Sequence, residues 1–307
     1  MYDLIIIGGG PAGCAAGVYA ARKKLKSLLI TEEFGGQSIV SEGIQNWIGA
    51  PVIPGAELAK SLENHVRTYA EGVVDIVDGV RIAKVEKTGD TFTVTDSTGK
   101  TYESKTVLVA TGGQRRRLAV PGADEFEHKG LTYCASCDGP LFAGQDVAVV
   151  GGGNAGFETA SQLLAYAKSV TLLHRSPEFK ADPITVEKVL KHPNMTALKN
   201  AEPTTVMGDK FVTGLKYKDT TTGEEKGLSV SGIFIEIGMV PSTDFVKGLV
   251  DLDPIGRIVT NAKNQQTSTS GVWAAGDCTD ELYHQNNIAA GDGVKALEDI
   301  YIHLNAR

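Results

Sequence analysis

The chain has 307 residues, 42% of them hydrophobic and 22% charged, with 36 glycines and a net charge of −7. That length accommodates two domains with their own cores, and the acidic balance argues against a nucleic-acid partner, which needs a basic surface. No apolar run approaches the roughly 20 residues of a membrane helix. Met1-Tyr2-Asp3 also lacks the basic leader of a secretory signal, so a cytoplasmic location with no membrane partner is expected.

The first predicted strand, Leu4 to Ile7, is continuously apolar, as in a strand covered on both faces. Gly8-Gly9-Gly10-Pro11-Ala12-Gly13 then forms a turn, and Ala12 to Ala21 reads as the small-residue face of a helix packed close to a sheet. Ser27 to Thr31 is the next strand. Glu32 falls about 20 residues beyond the glycines, where a carboxylate holds a ribose hydroxyl. From Asp75 to Val109 short alternating strands follow, including a hairpin over Val85 to Val94 that turns at Gly89-Asp90. Thr106 to Ala110 is a buried strand ending in Thr111-Gly112-Gly113, and Gln114 to Pro121 is a linker.

A second unit of the same layout starts with the strand Asp146 to Val150. Its turn is Gly151-Gly152-Gly153-Asn154-Ala155-Gly156, followed by a helix to about Ala167 and a strand over Ser169 to Leu173. A strand and hairpin region covers Thr196 to Ile237, turning at Thr220-Thr221-Thr222-Gly223. Val272 to Asp277 is a strand and tight turn, and a last helix runs from about Asn287 to Leu304. The two βαβ units have little identity, so nested nucleotide domains are expected and not a repeat array. The fold class is α/β, with two nested Rossmann-like dinucleotide-binding domains. The expected boundaries are 1–115 and 241–307 for one domain and 116–240 for the other.

A lone glycine fingerprint is weak, but here each copy follows an apolar strand and opens a helix. Backbone amides at the helix N-terminus then face a pyrophosphate. In the second copy no acid stands at the end of the following strand, Leu173-His174-Arg175-Ser176. A cation there favours a 2′-phosphate and hence NADPH. Arg175 and Lys180 are the candidates, with His174 as a neutral or charged neighbour; ordinary surface charge is the alternative. Gly276-Asp277 supplies a carboxylate for ribityl hydroxyls, and the helix start after Gln285 stabilises negative charge on a reduced isoalloxazine. Together with the first turn this makes FAD coherent. Arg115-Arg116-Arg117 reads as a solvated linker face.

Four cysteines do not make a disulfide framework at this length, so the close pair Cys134 and Cys137 is redox-active or metal-binding. As a redox pair, one thiolate attacks a partner disulfide and the other resolves the mixed disulfide, with Asp138 placed to move a proton. As half of a zinc site, the pair needs two more ligands and His128 is only one; inert thiols are the third alternative. No metal is expected. Cys14 and Cys278 read as buried small hydrophobes.

The motifs GGGPAG at Gly8, Gly35-Gly36-Gln37, QNWIG around Asn46, ATG at Ala110, CASCDGP at Cys134, GGGNAG at Gly151 and AAGDC at Ala274 run along essentially the whole chain. The sequence resembles the low-molecular-weight thioredoxin reductases, and equally the flavoprotein reductase core of bacterial alkyl hydroperoxide reductase. The resemblance implies a homodimer with an FAD domain built from both ends of the chain and an inserted NAD(P) domain carrying the dithiol. It implies that Cys137 faces the flavin, that Cys134 attacks the disulfide of a thioredoxin or related redoxin, and that Asp138 is the acid/base. It assigns Gln37, Asn46, Asp277 and Gln285 to FAD, and places Gly8, Gly10, Pro11, Gly13, Gly36, Ala110, Thr111, Gly112 and Gly276 around it. Gly151, Gly153, Asn154, Ala155 and Gly156 would hold NADPH. Hinges near Arg116 and Met239 would let the inserted domain swing. Two departures stand out. Where the family usually has His-Arg-Arg and a further arginine, this chain has His174-Arg175-Ser176 and Lys180, and lysine lacks the planar fork of arginine. At Tyr283-His284-Gln285, histidine replaces the usual arginine or lysine. NADH or reduced ferredoxin as donor, and a flavin dithiol oxidase, remain the alternatives.

Overall fold

The computed structural model describes residues 1–41 and 43–305, and the chain divides into two compact units. One combines residues 1–114 with 240–307; the other is the insert 115–239. The first segment supplies β1 (Tyr2–Gly9), α1 (Pro11–Arg22), β2 (Ser27–Phe34), α2 (Gly55–Ala70), β3 (Val74–Val77), β4 (Ile82–Thr88), β5 (Thr91–Asp96) and β6 (Thr101–Val109). β7 (Gly113–Arg115) begins the first passage between the units.

The insert contains β8 (Leu131–Thr132), α3 (Ala135–Asp138), β9 (Asp146–Val150), α4 (Asn154–Leu163), β10 (Ser169–Leu173), α5 (Pro183–Leu190) and β11 (Met195–Leu198). It continues with β12 (Ala201–Gly208), β13 (Val212–Asp219), β14 (Glu225–Ser229) and β15 (Gly232–Ile235). The chain returns through β16 (Met239–Pro241), which pairs with β7, and finishes with β17 (Val272–Ala274) and α6 (Asn286–Asn305).

In the first unit the sheet order is β3-β2-β1-β6-β5-β4. β6 shares its outer edge: Thr101 to Ser104 pair antiparallel with β5, while Val107 to Val109 pair parallel with β17. The apolar run of β1 is covered on both faces, as a parallel strand requires. Leu4 and Ile6 pack with helix residues such as Ala16 and Leu297, while Ile5 and Ile7 pack with Val85, Phe92 and Val94 of the hairpin. All four are fully or nearly fully buried, each contributing roughly 1.5–3 kcal/mol by leaving water. Helix α2 has no counterpart among the sequence expectations. Leu58, Val66 and Ala70 lie on its buried face, and Glu63 pairs with Arg67 one turn on.

The second unit repeats the plan. Its five strands run parallel in the order β11-β10-β9-β15-β8. Val147 and Val149 face α4 through Phe157, Ala160 and Leu163, while Ala148 and Val150 face the β12–β14 layer through Val206 and Leu215. α4 stops at Leu163 and not at Ala167 as expected. The NH groups of Ala165 and Tyr166 bond to the carbonyls three residues back, at 3.2 and 3.1 Å, tightening the last turn. α5 was also unforeseen, although Asp182 caps it by accepting from the Thr185 NH (3.0 Å) and Pro183 opens it. Among the described residues no helix is long and apolar enough to cross a membrane.

Candidate redox site and nucleotide cradles

The first cradle is shaped by glycines that nothing larger could replace. A Cβ on Gly13 would lie 1.8 Å from the Gly8 carbonyl oxygen, so α1 seats directly against the end of β1. Gly8 itself has φ +117°, and a Cβ there would meet the Ala110 oxygen at 2.3 Å, which brings Ala110-Thr111-Gly112 against the turn. Gly10 differs. Its backbone is extended (φ −75°), and the nearest atom to a built Cβ is the Gly36 Cα at 4.0 Å. The opening at Gly10 therefore lies between the α1 N-terminus and the Gly35-Gly36-Gln37 segment. Free amides at that helix start suit a phosphate.

Several residues expected to hold the flavin are joined to one another from distant segments. Gly276, the neighbour of Asp277 in the chain, packs on Ala12 of α1 and Ala289 of α6. The Asn46 amide donates to Gln285 Oε1 at 3.0 Å, joining two positions 239 residues apart. Ser41 Oγ and His284 Nε2 are buried without a hydrogen-bond partner among the described residues. Unsatisfied buried polar atoms in the unit that holds the open glycine cradle fit a polar, extended cofactor such as FAD. Two expected residues are engaged otherwise. Gln37 donates its amide to the Gly113 carbonyl, and Glu32 Oε2 accepts from Arg81 Nε at 2.6 Å. Arg81 was not anticipated. It lies on an exposed pair that is worth little to stability, but it orients the carboxylate at the end of β2.

The second cradle repeats the steric logic. A Cβ on Gly156 would lie 1.9 Å from the Gly151 oxygen, and one on Gly151 would lie 2.1 Å from the Glu236 oxygen, whereas Gly153 has open space. The Asn154 side chain accepts from the Asp182 NH (2.8 Å), fastening the α4 start to the α5 cap. Glu236, just past the end of β15, is largely but not fully buried, which pushes its carboxyl pKa up. Arg115 (3.8 Å) and the Thr159 hydroxyl (2.8 Å) oppose that shift. Of the two states open to His174 in the sequence, the structure favours the neutral one. Its ring is turned inward, 8% exposed, and abuts Gly152. Its Nε2 donates to the Glu178 carbonyl at 2.8 Å. Burial holds its pKa below the ordinary histidine value, so at neutral pH it is an uncharged brace for the loop. Arg175 and Lys180 are exposed.

The dithiol sits on α3, between β8 and the α4 layer. Cys134 and Cys137 are joined by a disulfide with Cα atoms 5.3 Å apart. The Cys137 NH donates to Cys134 Sγ at 3.2 Å, a contact that would stabilise a Cys134 thiolate after reduction. The Thr132 hydroxyl donates to Asp138 Oδ2, and the Cys134 NH points to the same hydroxyl oxygen at 3.4 Å. Thr132 was missed by sequence reasoning because it lies outside the CxxC motif. Below α3, Tyr166 blocks any side chain at Gly139, and Ser136 donates to Gln162 of α4 (3.2 Å).

Residues 2–293 match the family described as pyridine nucleotide-disulphide oxidoreductase. The chain belongs to this family. Over 303 residues, 99% of the chain, it is 42% identical to an NADH dehydrogenase of Bacillus subtilis. It is 40% identical over 304 residues to an alkyl hydroperoxide reductase component of Escherichia coli. In both cases the match spans only 58% of the relative's length. Among solved structures, a thioredoxin reductase from Streptococcus pyogenes superposes with a TM-score of 0.91 at 34% identity, covering 100% of this chain and 99% of that one. The pyridine nucleotide-disulphide oxidoreductase assignment also accounts for the two Rossmann-like units.

In this oxidoreductase the remaining thiols are set apart from the dithiol. Burial pushes Cys14 up to about 12 and Cys278 up to about 11. Both are therefore protonated and unreactive near neutral pH. Iodoacetamide added to the reduced native protein is expected to label Cys134 and Cys137 alone, with Cys14 and Cys278 reacting only after denaturation. Peptide mass spectrometry reads this, and native labelling of Cys278 would contradict it.

Proposed function

We propose that the protein is an FAD-dependent disulfide reductase that passes electrons from NADPH to the Cys134–Cys137 pair and on to a thioredoxin-fold partner. The observation that carries this is the closed disulfide at the start of α3, in the same unit as the second glycine cradle. Units 1–114 with 240–307 and 115–239 are then the FAD and NAD(P) domains, respectively. Gly8, Gly10, Pro11, Ala12, Gly13, Gly36, Asn46, Asp277 and Gln285 bind and orient the flavin. Bound FAD supplies the chemistry of accepting a hydride and delivering an electron pair to a disulfide.

The protein's own steps balance. Reduction opens the Cys134–Cys137 bond. The Cys134 thiolate, favoured by the Cys137 NH, attacks one sulfur of the partner disulfide and expels the other as a thiolate. Cys137 then attacks Cys134, re-forming the internal disulfide and releasing the second partner thiol. Asp138, held by Thr132, moves protons between these sulfurs. The net reaction consumes one NADPH and one proton per partner disulfide. Protomers are proposed to act as a homodimer in the cytoplasm.

A second reading is favoured by the curated relatives, whose names point to NADH and to hydroperoxide reduction. In it the same core takes NADH and serves a peroxide-reducing redoxin. Anaerobic titration of the flavin-loaded protein, read at the flavin absorbance, decides between them. Bleaching by NADPH and not by NADH supports the first reading, and preference for NADH supports the second. If only dithionite bleaches the flavin, reduced ferredoxin or a dithiol substrate becomes the donor, and the nicotinamide assignment fails.

A further inference from the structure

We propose that Lys199 completes a three-cation receptor, together with Arg175 and Lys180, for the 2′-phosphate of an NADPH adenosine. This rests on the assignment of the second glycine cradle as the NADPH site. Lys199 is the first residue beyond β11, on the edge strand next to β10, and three backbone hydrogen bonds fix it against the loop that follows β10. The His174 NH donates to the Leu198 carbonyl at 2.8 Å, the Ala201 NH to the His174 carbonyl at 2.9 Å, and the Asn200 NH to the Ser176 carbonyl at 3.3 Å. Asn200 takes a left-handed conformation (φ +53°) to make this turn.

The Lys199 side chain is also directed. Its Nζ lies 4.9 Å from the centre of the Phe179 ring, a cation–π distance. Phe179 is anchored in turn against His174 at 5.7 Å and edge-on to Phe157 of α4 at 5.0 Å. Lys180 is tied to the glycine turn itself, its NH donating to the Gly152 carbonyl at 2.8 Å. Lys180 follows Phe179 directly in the chain, so the ring beneath the Lys199 ammonium belongs to the same loop as Arg175 and Lys180; after burial, the larger cause, the charges of all three also lower the His174 pKa. All three are exposed, and none is paired with a carboxylate among the described residues.

Three unpaired cations gathered at the end of β10 repel one another, and a dianionic phosphate relieves that repulsion. The end of this strand is also where a dinucleotide enzyme discriminates at the ribose 2′ position. A solvated face of unrelated charges would need neither the backbone stitching nor the aromatic support under Lys199.

Calorimetric titration of the flavin-loaded protein with 2′,5′-ADP and with 5′-AMP tests this. The unaltered protein is expected to bind 2′,5′-ADP more tightly than 5′-AMP. Lys199→Gln is expected to weaken 2′,5′-ADP about tenfold while leaving 5′-AMP unchanged, and Lys199→Arg is expected to restore the preference. If Lys199→Gln keeps the preference while Arg175→Ala removes it, the role of Lys199 is overturned and the NADPH assignment stands. Equal loss of both probes in Lys199→Gln also overturns that role, because the residue would then be supporting the fold. Equal binding of both probes by the unaltered protein overturns the NADPH assignment, and the receptor with it.

Discussion

Replacing Cys137 by serine is expected to cut turnover with a thioredoxin-fold disulfide by on the order of 10³-fold or more, while anaerobic reduction of the flavin by the preferred nucleotide is retained. The disulfide is closed in the native protein, and Cys134 receives the Cys137 NH at 3.2 Å. Serine keeps that NH but cannot close the internal disulfide or resolve a mixed one. Cys134 of the variant should therefore accumulate covalently on the partner, as a complex that dithiothreitol releases. Stopped-flow flavin absorbance and non-reducing electrophoresis read the two halves of the expectation separately. Normal turnover by Cys137→Ser would sink the dithiol mechanism. Loss of flavin reduction as well would mean that the substitution damages more than the sulfur chemistry.

The second large effect concerns the first cradle, where two glycines should fail for different reasons. Gly13→Ala places a methyl group 1.8 Å from the Gly8 carbonyl oxygen, so α1 must move off the end of β1. The expected result is a protein isolated largely without flavin and with a lowered melting temperature. The loss is about 1–3 kcal/mol or more, the usual range for overpacking a close contact. Gly10→Ala meets nothing closer than 4.0 Å and keeps an allowed backbone (φ −75°). Its flavin-free form should melt like the flavin-free parent, yet its flavin affinity should fall at least about tenfold, because the methyl occupies space the pyrophosphate needs. Flavin fluorescence titration with parallel melting curves separates the two. Unchanged flavin affinity in Gly10→Ala would show that the phosphate lies elsewhere.

Much of this architecture is written locally. The continuous burial of Leu4-Ile5-Ile6-Ile7 on alternating faces, the hairpin turning at Gly89-Asp90, and the strands over Asp146 to Val150 and Ser169 to Leu173 all follow from side-chain period and turn sterics among near neighbours. The glycine turns are legible for the same reason, since Gly13 meets Gly8 and Gly156 meets Gly151 within a few residues. α2 and α5 were less visible. Their apolar stripes are short and interrupted, and their helicity depends on packing more than on propensity.

Residue order alone specifies the two βαβ units, their turns and the spacing of Cys134 and Cys137, because each of these is a relation between residues a few positions apart. Which distant groups meet is settled by the folded backbone. It set Asn46 on Gln285 and Arg81 on Glu32, turned His174 inward, and brought Lys199 beside the loop that carries Arg175. Those pairings are fixed by strand order and register across two sheets. A side chain's partner there is chosen by where the backbone passes, and no local pattern of residue types records that position.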